Sequence, residues 1–364
     1  MRLSEVMHVL EDIAPLRLAE TWDNVGLLAG DPAVDVTRAL FAIDMTAEVL
    51  AEARQKSCNL LVAYHPPLFA PLKRVTSDSL IFKAISDRIA IYAPHTALDS
   101  AKGGTNDVLG DLVGMGEARA ALRAPPAKDA GHKLVAFVPE NDFQKVANAL
   151  FEAGAGRIGD YSACSFRSLG KGTFFGEAGT NPAVGKSGHR EDVPELRLET
   201  VVRVEDATRV VAALRASHPY EEPAFDLVRL GAHPESKHLG IGRVGDVAPV
   251  ARTALVDKIK KGLGVDHVLV AGSLEGNATR VAVTAGSCGD LYEDAVAAGA
   301  EVYVTGEMRH HDALAASRKM TVVCALHSNS ERAAMKIFAA NVKARAPSID
   351  VAFSERDRDP FRIT

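Results

Sequence analysis

One stretch near the carboxyl end constrains this chain more than any other: Thr321-Val-Val-Cys-Ala-Leu-His327-Ser-Asn-Ser-Glu331-Arg332. Its apolar start reads as a short buried strand, and the continuation through Ala-Ala-Met-Lys-Ile-Phe338 reads as a helix. Ser328 or Ser330 is placed to cap that helix. Where a strand hands over to a helix in an α/β protein, side chains face the crevice at the strand's carboxyl end. A helix starting by Ser328 puts His327 and Glu331 on one face or within one turn. A neutral imidazole and a carboxylate so placed suit a divalent metal. Standing alone, such a pair is most simply a polar helix start.

The same pattern recurs. Leu60-Leu-Val-Ala-Tyr64 ends at His65, and Ile89-Ala-Ile-Tyr-Ala-Pro94 ends at His95, followed by Asp99. Ala300-Glu-Val-Tyr-Val-Thr305 ends at Gly306-Glu307, followed by His310-His311-Asp312. Four apolar runs that each end in a histidine or a carboxylate predict one site at the carboxyl edge of a sheet, built from both ends of the chain.

Strand-like and helix-like segments alternate from Arg38 to Leu112 and again after Leu239, as expected of an α/β domain with a largely parallel sheet. Between them the texture changes. A Pro/Ala-rich linker at Arg123–His132 leads into a β-α-β-β-α-β succession that closes at Leu230, and Gly231–Gly240 forms the return linker. The expected organisation is therefore an α/β metal-binding domain at 1–125 and 239–364, interrupted by a ferredoxin-like domain at 131–235. Val247–Leu263 in the second half is expected to be helical, and His95–Asp99 in the first half is expected to continue a strand.

Composition narrows the function classes. A net charge of −5 with scattered basic residues gives no electrostatic case for nucleic acid. No apolar run reaches membrane-spanning length, and the amino-terminal segment reads as an amphipathic helix rather than a secretory signal. The four cysteines show no paired spacing, so buried thiols in a reducing cytoplasm are expected.

Other motifs carry two readings. Gly240-Ile-Gly242-Arg-Val-Gly245 matches a dinucleotide-binding fingerprint in letters, but it follows a linker rather than a strand. Ala285-Gly-Ser-Cys288-Gly289 can cradle a phosphate or form a tight turn. Cys288 has no base beside it in sequence, so a small buried residue is expected rather than a nucleophile. Asp23 and Asn24 read as turn formers, and His218-Pro-Tyr-Glu221-Glu222-Pro as a structural corner or as a contact to metal or substrate.

Taken in order, Tyr64-His65-Pro-Pro-Leu-Phe69, His95-Thr-Ala-Leu-Asp99, Gly104-Thr-Asn-Asp107, Thr305-Gly-Glu307 with His311-Asp312, and His327-Ser-Asn-Ser-Glu331 resemble the motifs of the Nif-three-like dinuclear metal-centre proteins. These are also known as GTP cyclohydrolase I type 2 homologues. Trp22-Asp-Asn-Val-Gly-Leu27 fits their amino-terminal motif. The residues of 154–161, 164–166 and 218–223 look like the insert of the longer members.

The resemblance implies an α/β domain with internal two-fold similarity, assembled into a toroidal homo-hexamer. It implies one or two divalent ions per chain, of zinc, iron or manganese type, facing an inner cavity. The ligands it carries over are His65, Asp99, His327 and Glu331, with Glu331 or Asp99 bridging. Where the family's first motif often reads His-His, this chain has Tyr64, so unequal metal sites are expected, with Tyr64 nearby as a phenol donor. Glu307, His95 and His311 are the expected proton-transfer or supporting groups. His310 and His311, being adjacent on a helix, cannot both face one site. The implied activity is metal-dependent hydrolysis of a small molecule, either a GTP-like nucleotide or a phosphoester. The alternative is a metal-binding regulatory ring without catalysis.

Overall fold

The computed structural model describes residues 1–124, 131–158, 161–230, 238–287 and 289–362. The chain divides into two compact units, Met1–Pro126 with Glu235–Thr364, and Ala127–Pro234.

In the first unit, β1 (Gly26–Ala29), β2 (Arg38–Ala42), β3 (Leu60–Ala63) and β4 (Ala90–Ala93) form most of one sheet. In the second unit, β5 (His132–Pro139), β6 (Ser165–Phe175), β7 (Arg190–Val202) and β8 (Phe225–Arg229) form a sheet of their own. The chain then returns to the first unit with β9 (Arg243–Ala251), β10 (Leu269–Ala271), β11 (Asn277–Ser287), β12 (Val302–Glu307), β13 (Thr321–Cys324) and β14 (Asp350–Phe353).

The first sheet runs β1-β4-β3-β2-β14 and the second β10-β13-β12-β11-β9. Strands β4, β3, β2 and β14 are mutually parallel, with β1 antiparallel at the edge. Strands β13, β12 and β11 are mutually parallel, with β10 and β9 antiparallel at the edges. Every residue of β3, β4 and β13 is buried, which is why these segments read as unbroken apolar runs rather than alternating ones.

The two halves of the first unit are interlocked. Helix His327–Arg345 follows a strand of the second sheet, yet Met335, Phe338 and Val342 join the core of the first, where Phe338 meets Phe41 edge-on at 5.8 Å. Helix Thr105–Val113 does the reverse, placing Leu109 and Val113 against Val281, Val283 and Val304. Strand β14 comes from the far end of the chain to pair with β2. A Phe338→Ala exchange here would cost roughly 3–5 kcal/mol through lost burial and the cavity left behind.

Polar stitches follow the same route. Asn106 donates to the Asp99 carbonyl and accepts from the Ala285 backbone. Arg243, with no exposed surface, is held by Asp107 at 2.8 Å. This accounts for Gly104-Thr-Asn-Asp107 without assigning it chemistry.

In the second unit the order is β5, helix Phe143–Glu152, β6, β7, helix Ala207–Ser217, β8, with all strands antiparallel in the order β6-β7-β5-β8. Val146, Leu150, Val210 and Leu214 of the helices pack on Leu134, Ala136, Val138 and Leu198 of the sheet.

Two local expectations are corrected, and one motif finds a structural role. Val247–Ala251 belongs to strand β9, and its helix starts only at Arg252. The segment is an edge strand, where Pro249 need not donate to a ladder. The Gly240–Gly245 motif opens no helix. Gly240 has φ +126°, and an added Cβ would lie 2.1 Å from the Arg123 carbonyl oxygen, so this glycine serves close backbone passage. Finally, His95–Asp99 starts a short helix, His95–Ser100, instead of extending β4, because Pro94 supplies no N–H for strand pairing.

Candidate metal centre

Both sheets deliver histidines to one place. His65 follows β3, His95 follows β4, and His327 follows β13. The His65 ring lies 5.4 Å from that of His95 and 5.1 Å from that of His327. The handovers from strand to helix at His95 and His327 bend sharply. His95 has φ +29° and Leu326 φ +70°, both in the left-handed region that non-glycine residues rarely enter. Helix His327–Arg345 consequently has no side-chain cap at its start, which corrects the expectation for Ser328 and Ser330. Ser330 Oγ instead accepts from the Gly286 N–H at 2.8 Å and donates to the His327 carbonyl at 2.6 Å, while Ser328 Oγ donates to Asp359 at 2.8 Å.

The imidazoles share a second feature. The Nδ1–H of His65 donates to Asp44 at 2.9 Å, that of His95 to Asp23 at 2.8 Å, and that of His327 to Glu307 at 3.0 Å. A carboxylate can only accept, so each pairing fixes the tautomer and leaves Nε2 as a lone-pair donor. This is the support that metal-ligating histidines receive.

Glu331, 2% exposed, faces two of these rings: its oxygens lie 3.4 Å from His65 Nε2 and 3.3 Å from His327 Nε2. His65, His327 and Glu331 each offer a ligand atom within 4.8 Å of the others. His65 Nε2 and Glu331 Oε2 are both buried without a hydrogen-bond partner. Buried polar atoms in folded proteins are rarely left so, and two such atoms facing each other fit a shared cation. Gly286, at φ +62°, closes the floor. A Cβ there would come within 2.6 Å of Glu331 Oε1 and 3.2 Å of His327 Nε2, so glycine lets backbone approach the donors.

The electrostatics agree. Burial works against the Glu331 charge, but the two facing imidazoles outweigh it and hold the carboxyl below its usual range. Burial likewise opposes charge on His65, yet the hydrogen bond to Asp44 and the facing carboxylate of Glu331 raise it to about 10. Glu331 and then Glu307 raise His327, against burial, to about 9.

The other expected residues are placed differently. Asp99 is 8% exposed and accepts a hydrogen bond from the Tyr64 phenol, which also lies 3.3 Å from Thr105 Oγ1. Burial, reinforced by Glu331, raises Asp99 to about 6 despite help from His95 and Tyr64. Tyr64 is fully buried. Burial first, then the charges of Asp99 and Glu331, push its phenol well above the ordinary value. The hydroxyl is thus a donor to Asp99. Glu307 supports His327 from an exposed position. His311 is not brought here: it is exposed, its ring pairs with His310 at 5.3 Å, and among the described residues no hydrogen bond links it to the cluster. Cys288 lies outside the described residues, as do parts of both linkers.

Two supporting residues escaped the sequence reading. Asp44 ends the run Arg38-Ala-Leu-Phe-Ala-Ile43, a fifth apolar run closing on an acid. Asp23 was expected to form a turn. It instead grips His95 through Oδ1, and the Thr96 backbone N–H and hydroxyl through Oδ2.

The family model of Duf34/NIF3 (NGG1p interacting factor 3) matches residues 1–360. The chain belongs to the Duf34/NIF3 family. A "GTP cyclohydrolase 1 type 2 homolog" of Halalkalibacterium halodurans is 40% identical over 311 residues, covering 84% of this chain and 82% of the relative. One of the same name from Bacillus subtilis is 36% identical over 314 residues, 84% of this chain and 83% of that one. Among solved structures, a Bacillus cereus protein related to NIF3 is 33% identical with TM-score 0.65, over 100% of this chain and 99% of that one. A Staphylococcus aureus protein is 28% identical with TM-score 0.76 over the same shares of the two chains. The α/β fold of this Duf34/NIF3 member is thus that of its relatives, and no helix among its described residues is long and apolar enough to cross a membrane.

Proposed function

We propose that this NIF3-family chain is a metal-dependent hydrolase whose centre is built on His65, His327 and Glu331. The observation that carries this is the pair of buried, unpartnered atoms, His65 Nε2 and Glu331 Oε2, beside imidazoles whose Nδ1 atoms are already engaged by carboxylates. A divalent ion held there would supply Lewis acidity and bring the pKa of water toward neutrality. Glu331 reaches both imidazoles and is the carboxylate placed to bridge. His95 and Asp99 would hold a second, weaker ion, with the Tyr64 phenol competing for Asp99. Glu307, half exposed beside His327, is the residue placed to exchange protons with solvent.

A planar substrate ring has a place to lie. Trp22 is 58% exposed, packs edge-on to His95 and meets Phe69, itself 55% exposed. Such a ledge supports a nucleotide-like substrate, in keeping with the relatives' name. The test is metal-free protein reloaded with zinc, iron or manganese, assayed for GTP ring opening by ultraviolet absorbance and for phosphate release from phosphoesters. Turnover that Glu331→Gln abolishes supports the reading. Turnover untouched by Glu331→Gln, or none with any ion, overturns it and leaves a metal-binding ring.

Three architectural points belong to the same proposal. The shared order and sense of β1-β4-β3-β2 and β10-β13-β12-β11 support an internal repeat. The antiparallel order β6-β7-β5-β8, with both helices packed in one core, supports a ferredoxin-like insert. Exposed apolar side chains at Ile85, Leu269 and Leu314 support self-association, for which we propose a hexamer, to be measured by sedimentation.

A further inference from the structure

We propose that the inserted domain carries its own small-molecule site, selective for an organic ammonium ion with an apolar body. The site is a cavity of about 580 Å³ on the helix-free face of the β6-β7-β5-β8 sheet, within the usual range for ligand pockets. Its walls are largely apolar, with Phe137, Phe174 and Tyr220 among them.

One side chain gives it polarity. Glu195, on the central strand β7, is 7% exposed, a degree of burial uncommon for a carboxylate without a paired cation. Tyr220 donates to its Oε1 at 2.8 Å. Among the described residues Oε2 has no hydrogen-bond partner, and Glu195 has no ion pair. Oε2 lies across Gly172 of β6, where an added Cβ would stand 2.0 Å from it. Gly170 and Gly172 face Glu195 and Val193 in register, so this stretch of β6 brings no side chain to the face and leaves room beside the carboxylate.

The surrounding charge has one sign to spare. Lys171 is engaged by Asp192 at 3.5 Å, and Arg197 by Glu199 at 2.8 Å. Glu221 and Glu222 line the same cavity; Glu221 accepts from the Asn181 backbone N–H at 3.1 Å. The cations are paired and carboxylates remain, so the complement is a positive charge. The aromatic lining suits the body of such a ligand and can hold an ammonium against a ring face.

This also explains His218-Pro-Tyr-Glu-Glu-Pro. His218 is the structural corner: Nε2 donates to the Phe137 carbonyl at 3.0 Å, and Nδ1 accepts from the Tyr220 N–H at 3.1 Å. That corner sets Tyr220 against Glu195 and turns Glu221 and Glu222 to the rim. The motif is a wall of this pocket.

The test uses the full chain and three probes of similar body: 2-phenylethylamine, 2-phenylethanol and 3-phenylpropionate, titrated by ligand-observed NMR. The amine is expected to bind with a dissociation constant on the order of 1 mM, and the alcohol and acid at least about tenfold more weakly. Glu195→Gln is expected to weaken the amine about tenfold or more while leaving the alcohol unchanged. Ser168→Trp, at an exposed position on the pocket wall, is expected to abolish binding of all three by filling the space, and it serves also if Glu195→Gln fails to fold. Phenylpropionate binding as well as the amine, amine binding that survives both variants, or no amine binding at about 10 mM would each overturn the proposal.

Discussion

Two turns of this chain carry one design with different outcomes. After β4 comes His95-Thr-Ala-Leu-Asp99, and after β13 comes His327-Ser-Asn-Ser-Glu331. Each starts a helix with its histidine, each passes through left-handed backbone at the junction, and each braces its imidazole Nδ1 with a distant carboxylate. The acids differ by one methylene and by one neighbour. Glu331 reaches two imidazoles and keeps an oxygen without a hydrogen-bond partner, whereas Asp99 is engaged by the Tyr64 phenol. A repeated motif therefore does not make equivalent sites. The side chain across the crevice decides whether an acid keeps an oxygen without a hydrogen-bond partner or has it engaged.

The largest expected effect tests that asymmetry directly. Glu331→Gln keeps shape but removes the charge facing His65 and His327, and should lower metal affinity by at least about 100-fold. Asp99→Asn should lower the affinity for the first ion by no more than about threefold. Metal per chain by mass spectrometry after dialysis, with circular dichroism as a check on folding, measures both. Equal losses would show that the two turns are equivalent after all.

Tyr64 comes next. Tyr64→His supplies an imidazole next to Asp99 and should raise metal from about one toward about two ions per chain. Tyr64→Phe should leave metal content unchanged but destabilise the fold by about 1–3 kcal/mol, because buried Asp99 loses its donor. Metal analysis together with urea unfolding separates the two results. Loss of an ion in Tyr64→Phe would make the phenol a ligand.

Proton linkage is a smaller effect with a definite sign. In metal-free protein His65 and His327 are raised to about 10 and about 9, above their unfolded value near 6.5. Their contribution to stability is fully present below about pH 6.5 and is lost as pH rises through 9 and 10. Metal-loaded protein should show the opposite trend near pH 6, since ligated imidazoles bind no proton while unfolded ones do. Metal uptake at pH 7 should accordingly release protons, visible as a buffer-dependent heat in titration calorimetry. Thermal melts of both forms from pH 5.5 to 10.5 check the signs.

The smallest effect is expected from removing the insert. A deletion joining Arg123 to Leu239 through a short Gly/Ser bridge leaves all the residues of both turns in place, and should stay soluble and bind metal as before. Aggregation or metal loss would tie the insert to the centre.

The sequence by itself determined which strand ends carry the histidines and acids that come together. Strands buried on both faces must be continuously apolar, so the polar residue that ends each one stands out in the letters alone. It likewise determined the alternation of strand and helix and the break in texture around the insert. It did not determine the partners. Asp44 meets His65 because β2 lies beside β3, and Asp23 meets His95 across 72 residues of chain. Segment Val247–Ala251 became strand because β11 offered it an edge, and Tyr64 turned to Asp99 because the helix at Pro94 brought that acid beneath it. Local pattern records burial, which each residue experiences alone. Pairing depends on which strands become neighbours, and only the assembled sheets decide that.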